Sequence, residues 1–332
     1  MRTTATKSAK IVTAKASLAT NLTPRDVRTA LFNQVQMHGI PISQYTLLNA
    51  NGVIPLDLPD GLRVVFLPDI HAPAHDKAKM WAVKEFLADY QPEILVLIGD
   101  MGDVFGFSAW APNPLTPVDL MNEIQVTREL IDELLEISGA RHCFITLGNH
   151  EDRIRRWISR DGGKLQSLVN AESQESTLSF HELLGYRPGD KITFINDLQG
   201  AGGFGGGMIL NGKMKLVHGR IVKPKPGASP RAMAELDLKS IVHGHTHSLG
   251  TNHREITRGF ITATEIGHLA NPVNAYLAYA NIINRWHAGL AYGEIINGNM
   301  HLSILPIIQV LRNHRFRDMF VVDGKQYLSD DR

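Results

Sequence analysis

The chain has 332 residues, 43% of them hydrophobic and 20% charged, with a net charge of +1. That length supports one large domain or two modest ones, each with a substantial core, and the balanced charge gives no global attraction to nucleic acid or to a membrane surface. A single cysteine, Cys143, excludes an internal disulfide and fits a reducing, cytoplasmic setting, and no apolar run of ~18 residues marks a membrane span.

Residues 1–22 are rich in Ala, Thr, Ser and Lys, lack acids and carry Arg2, Lys7, Lys10 and Lys15. They read as a flexible basic tail, with a transit peptide as the alternative. Thr23 before Pro24 resembles a helix start, and residues 23–60 read as a small helical appendage. Its apolar positions run from Val27 through Met37, break at Pro41 and resume over Ile42–Leu48. With no basic recognition face, it reads as a packing or partner-docking unit rather than a nucleic-acid reader.

From Leu62 onward strands and helices alternate. Arg63–Pro68 reads as a strand, Lys77–Tyr90 as a helix stopped by Pro92, Ile94–Ile98 as a strand and Pro117–Gly139 as a long amphipathic helix. A third strand runs from Arg141 towards Gly148. A basic helix with Arg153, Arg155, Arg156 and Arg160 then spans Asp152–Leu168. This βαβαβα order predicts an α/β fold with parallel strands. Lys191–Asn196 reads as a strand, and the glycine-rich residues 198–207 serve turns, because no helix follows to bind phosphate. Met208–Met214 reads as a hairpin around Asn211-Gly212. A helix over Arg231–Leu236 and strands near 260–266, 290–296 and 301–306 predict antiparallel pairing late in the chain.

Five apolar runs end abruptly on polar residues. Arg63–Pro68 meets Asp69-Ile70-His71, and Ile94–Ile98 meets Gly99-Asp100-Met101-Gly102-Asp103. The run after Arg141 meets Gly148-Asn149-His150-Glu151. Met214–Val217 meets His218, and Ser240–Val242 meets His243-Gly244-His245-Thr246-His247. Strands that stop this way deliver side chains to one edge of a sheet. Carboxylate, imidazole and amide oxygen without thiolate suit Mn²⁺, Fe²⁺, Zn²⁺ or Co²⁺, and the donors exceed what one tetrahedral ion needs. Two divalent ions against Asp69 and Asp100 leave a net positive pocket suited to a phosphoryl group.

At these residues the sequence resembles the calcineurin-like metallophosphoesterase superfamily, whose five blocks all stand here in order. The resemblance implies a four-layer αββα sandwich over residues 61–310, with 311–332 as a C-terminal extension. It implies Asp69, His71 and His247 on a first metal, Asn149, His218 and His245 on a second, and Asp100 between them, with Mn²⁺ the favoured ion. A bridging hydroxide would attack a phosphate ester in line. His150 would face the substrate and Asp103 would orient it. Gly102–Ser108, Asn149–Arg153 and Glu265–His268 also look similar to segments of bacteriophage-encoded members. One departure stands out: the superfamily's protein phosphatases carry Arg after the second block, where this chain has Val104-Phe105. Without that fixed cation a phosphodiester is expected, in nucleic acid or a nucleotide. A small-molecule phosphomonoesterase, or a degenerate scaffold that binds metal without activity, are the alternatives. Among other residues, His75, Arg153 and His268 are candidates for substrate contact, against surface or core roles. His243 reads as a core residue, and Trp110, Trp157 and Trp286 read as core rather than as base-stacking platforms.

Overall fold

A computed structural model describes residues 53–109, 119–168, 177–186, 190–195, 206–257, 259–272 and 286–329. In chain order its first half comprises β1 (Val53–Leu56), β2 (Arg63–Pro68), α1 (Lys77–Tyr90), β3 (Ile94–Ile98), α2 (Leu120–Ser138), β4 (His142–Thr146), α3 (Asp152–Arg160), α4 (Phe180–Leu184) and β5 (Ile192–Ile195). Then follow β6 (Gly207–Leu210), β7 (Met214–Val217), α5 (Ala228–Asp237), β8 (Ser240–His243), β9 (Leu249–Ile256), β10 (Gly259–Ile266), β11 (Gly289–Ile296), β12 (Asn299–Pro306), β13 (Ile308–Arg312), β14 (Arg315–Val322) and β15 (Lys325–Leu328).

One six-stranded sheet has the order β12-β11-β2-β3-β4-β5 and a second has β1-β6-β7-β8-β10-β9. In the first, β2, β3, β4 and β5 run parallel, with Val65, Leu95 and Cys143 in register. Successive side chains on a strand point to opposite faces, and here both faces are apolar. Val64, Phe66, Ile94, Val96 and Phe144 turn towards Met208, Leu216, Val242 and Ile266 of the second sheet. Val65, Leu67, Leu95, Leu97, Cys143 and Ile145 turn the other way, onto Met80, Val83 and Phe86 of α1 and Leu130, Ile131 and Leu134 of α2. Strands buried on both faces read as unbroken hydrophobic runs, which is why these were legible as strands. On the outside of the second sheet Val217, Ile241, Ile261 and Ala263 cluster with Ala234 of α5. The layers are therefore helix, sheet, sheet, helix, as expected.

The helices start and stop for local reasons. Asp76 caps α1 by accepting from the backbone N–H groups of Ala78 and Lys79 at 3.1 and 3.2 Å. Asp119 caps α2 through Asn122 N at 3.1 Å, and Gly139 ends it in the left-handed conformation at φ 61°. The helix expected to reach Leu168 stops at Arg160, and residues 163–167 form a 3₁₀ turn instead. Two glycines, Gly162 and Gly163, intervene, the second at φ 49°, and glycine weakens a helix by about 1 kcal/mol against alanine.

Two expected boundaries fall differently in space. Residues 1–52, which hold the basic tail and most of the helical appendage, lie outside the described residues, as does Trp110. Val53–Leu56, at the end of the appendage, form strand β1 of the second sheet, parallel to β6. The boundary at 310 falls inside β13, because β13, β14 and β15 make a third sheet that packs on α1. There Phe320 and Tyr327 meet the Phe86 ring at 5.7 and 5.4 Å. The Asn211-Gly212 hairpin forms between β6 and β7, with both turn residues at positive φ.

Candidate metal centre

Parallel β2, β3 and β4 end side by side, so Asp69, His71, Asp100 and Asn149 leave the first sheet at one edge. His218, His245 and His247 follow β7 and β8 of the second sheet at the same place. The backbone turns sharply to aim them: Asp69, His71, Asp100, His245 and His247 all have positive φ, between 40° and 67°. Such conformations cost of order 1–3 kcal/mol each and persist where surrounding structure holds them. Two glycines make room. A Cβ at Gly148 would stand 2.1 Å from Asp100 Oδ1, and one at Gly244 would stand 2.6 Å from Asp69 Oδ2.

The ligand atoms of Asp69, His71 and His247 lie within 4.8 Å of one another, as do those of Asp100, His218 and His245. Asp100 Oδ2 is 3.4 Å from His218 Nε2 and 3.8 Å from His71 Nε2, between the two groups. Asn149 Oδ1 lies 3.0 Å from His218 Nε2, and His71 Nε2 faces His247 Nε2 at 3.1 Å. The donor set fits cations. His71 turns Nδ1 to Asp103 at 3.4 Å, and His218 turns Nδ1 to the Ile98 carbonyl at 3.1 Å. In the tautomers those contacts select, both Nε2 lone pairs point into the cluster of oxygens, where only a cation or a proton reconciles them.

The electrostatics agree. Burial pulls the His218 imidazole down, but the Asp100 carboxylate and then Asp69 more than offset it, raising its pKa to about 10. Burial holds Asp100 up, and the imidazoles of His150 and His218 carry it well below the usual carboxylate range. Burial lowers His71 to about 4, with the charge of His150 adding to it, and lowers His245 to about 4, with His218 adding. The carboxylates at this edge thus hold a proton on His218 while burial keeps His71 and His245 neutral.

His150 stands next to this cluster. Its backbone N–H donates to Asp100 Oδ1 at 2.9 Å, and its Nδ1 lies 2.6 Å from Asp103 Oδ1. The Asp103 carboxylate therefore sits against the Nδ1 side of the ring. Nε2 of His150 lies 3.8 Å from Asp100 Oδ2 and also groups with His71 and Asp100. Burial lowers the imidazole, and the Asp100 and Asp103 carboxylates raise it above its ordinary value overall.

Of the three candidate substrate contacts, Arg153 and His268 come to the centre. Arg153 Nη2 is 3.2 Å from His150 Nε2, and Nη1 donates to the Asp103 carbonyl at 2.6 Å. His268 stacks on His247 with ring centroids 5.1 Å apart. His75 pairs by backbone with Ala270, and its charged neighbours are Lys84, Lys77, Asp76 and Glu133. Arg155 turns to Asp152, and Arg156 donates to the Asn149 carbonyl at 2.7 Å. His243 is fully buried in β8. Trp286, expected in the core, sets its ring 4.1 Å from that of His247, and Trp157 packs on Phe107.

Two residues support the centre without any role predicted from sequence. Glu151 accepts backbone N–H groups from Gly148 at 2.7 Å, Asp100 at 3.1 Å and Gly102 at 3.1 Å, tying the two central loops together. Its place as the last letter of Gly-Asn-His-Glu was the available signal. Glu265 accepts from the Thr246 hydroxyl at 2.9 Å, between His245 and His247, and from Gly227 N at 2.6 Å. Glu265 stood out only within a segment similar to bacteriophage-encoded members, with no role attached, because strand pairing brings it to Thr246.

No described helix is long and apolar enough to cross a membrane. Among solved structures the chain is similar to Vps29 of Entamoeba histolytica crystallised with Zn²⁺, at 14% identity and TM-score 0.36, over 81% of this chain and 97% of that one. It is also similar to Vps29 of Chaetomium thermophilum, at 10% identity and TM-score 0.39, over 82% and 97%. Vps29 of Cryptosporidium parvum gives 14% and 0.37, over 80% and 100%. No curated protein matches the chain. The calcineurin-like phosphoesterase family model matches residues 62–249, from the start of β2 to the start of β9. Every proposed ligand falls inside that span, and the chain belongs to the calcineurin-like phosphoesterase family.

Proposed function

We propose that the protein is a two-metal phosphoesterase. The observation that carries this reading is the position of Asp100, whose carboxylate lies between one group of Asp69, His71 and His247 and another of His218, His245 and Asn149. Mixed imidazole, carboxylate and amide donors suit Mn²⁺, with Fe²⁺, Zn²⁺ or Co²⁺ as alternatives. Such a pair, when bound, supplies Lewis acidity to a phosphoryl oxygen and a nucleophilic water for in-line displacement.

The chain's own groups do the rest. Asp103 holds the His150 ring by Nδ1, so that Nε2, beside Arg153, faces the leaving oxygen, and the Asp100 and Asp103 carboxylates raise its pKa against burial and the Arg153 charge. His150 then delivers a proton from Nε2 as the ester bond breaks. Burial of Asp100, Asp103 and His71 keeps bulk water from screening these charges. A diester substrate, in nucleic acid or a nucleotide, was expected from the missing arginine after Asp103. The guanidinium of Arg153, beside His150, is a fixed cation that supports the monoester alternative.

Metal analysis paired with ester hydrolysis tests the reading. Wild-type protein should take up to two transition ions per chain, and Asp100→Asn should lower occupancy at both positions. His150→Ala should keep its metals and lose turnover by about 10²–10⁴-fold, less for a nitrophenolate leaving group. Unchanged metal content in Asp100→Asn would sink the bridging role, and loss of metal in His150→Ala would make His150 a ligand.

A further inference from the structure

We infer that Arg153 is the residue that sets substrate class, selecting phosphomonoester dianions over phosphodiester monoanions; this rests on the phosphoesterase reading above. Three observations support it. The guanidinium is anchored: Nη1 donates to the Asp103 carbonyl at 2.6 Å and stands 3.6 Å from Asp103 Oδ1, and its side chain is 10% exposed. It is aimed: Nη2 lies 3.2 Å from His150 Nε2, the nitrogen that faces the leaving oxygen. It is distinct in placement from its neighbours, since Arg155 turns to Asp152 and Arg156 to Asp152 and the Asn149 carbonyl.

A phosphoryl group arriving in front of His150 would bring an oxygen to the Nη2 donor. A guanidinium presents a rigid fork of N–H donors that matches phosphate oxygens, and it is always charged. A monoester dianion carries a second negative charge and a third terminal oxygen, so it gains more from that fork than a diester monoanion does. Anchoring at Asp103 means that little side-chain freedom is lost on binding. Arg153, from the first turn of the helix after His150, thus offers the fixed cation that an arginine after Asp103 would have supplied. The substrate class is a terminal phosphate with a free dianionic face, on a small molecule or at the end of a chain.

The test compares metal-loaded wild type, Arg153→Ala and Arg153→Gln. Hydrolysis of nitrophenyl phosphate and bis-nitrophenyl phosphate gives one readout. Calorimetric binding of inorganic phosphate and dimethyl phosphate gives a second that needs no turnover. Both variants should lower kcat/KM for the monoester at least ~10-fold more than for the diester, and weaken inorganic phosphate by a similar factor relative to dimethyl phosphate. Arg155→Ala should leave both ratios at their wild-type values. Arg153→Gln keeps a polar side chain of nearly the same stem length without the charge, so it carries the comparison if Arg153→Ala does not fold. Equal losses on the two esters would mean that Arg153 only positions Asp103 and His150, and would overturn the inference, as would unchanged phosphate affinity. Wild-type protein that binds phosphate through Arg153 yet cleaves neither ester would sink the phosphoesterase reading and leave the anion selection standing.

Discussion

His218 shows how one residue records the charge around it. Its raised pKa of about 10 arises because Asp100 and Asp69 outweigh the effect of burial, so without metal it is an imidazolium at neutral pH. His71 and His245, both pushed to about 4, are already neutral there, and Asp69 and Asp100 are already ionised. A divalent ion needs a neutral imidazole, so loading near pH 7.5 should release the His218 proton in addition to any released from bound water. Calorimetry in buffers of different ionisation enthalpy reads the number directly. His218→Gln should reduce it by about one, and an unchanged count would remove the assignment. The same shift sets a stability window for the metal-free protein. A raised folded pKa stabilises fully below the unfolded value of about 6.5 and loses its effect as pH rises through about 10. The residues proposed as ligands stood out in the sequence because each follows the end of an apolar run, and the structure brings them together. Arg153 stood out there only as a candidate substrate contact, since periodicity places it on a helix face and says nothing of its reach to Asp103.

At the scale of elements, the centre depends on loops that leave strands through left-handed turns, and Glu151 holds two of them. Its carboxylate satisfies three backbone N–H groups that are otherwise buried. Glu151→Ala leaves those donors without it, each such loss costing about 1–3 kcal/mol. The expected destabilisation is on the order of 3 kcal/mol by denaturant unfolding, with weaker metal binding. By contrast, Lys325→Ala, which removes an exposed ion pair to Asp89, should leave stability nearly unchanged. A Glu151→Ala protein as stable as wild type would show that water replaces the carboxylate. The strands and long helices were readable because apolar periodicity and capping act over neighbouring residues. The early end of α3 was less so, because its apolar spacing continues across Gly162-Gly163. The role of Glu265 was invisible, as pairing of β10 with β8 brings it to Thr246.

For the whole molecule, the third sheet matters more than its place after residue 310 suggested. Phe320, Val322 and Tyr327 are buried in the core that lies over α1. Their partners sit far back in the chain, as with Lys325 and Asp89, 236 residues apart, which is why residues 311–332 read only as an extension. Each large apolar side chain buried contributes about 1.5–3 kcal/mol. Removing residues 308–332 should therefore lower Tm and increase binding of a hydrophobic dye, because Phe86 and its neighbours lose their cover. A truncated chain with unchanged Tm would make this sheet a separate appendage. The stacking of the other two sheets has a kinetic consequence. His71 comes from one sheet and His247 from the other, 176 residues apart, and they can face each other only once both sheets have formed and closed. If the proposed ion sits between them, it would be a latch on a finished sandwich and no template for the search that builds it. Chelation would then leave the refolding rate nearly unchanged and shorten the lifetime of the native state.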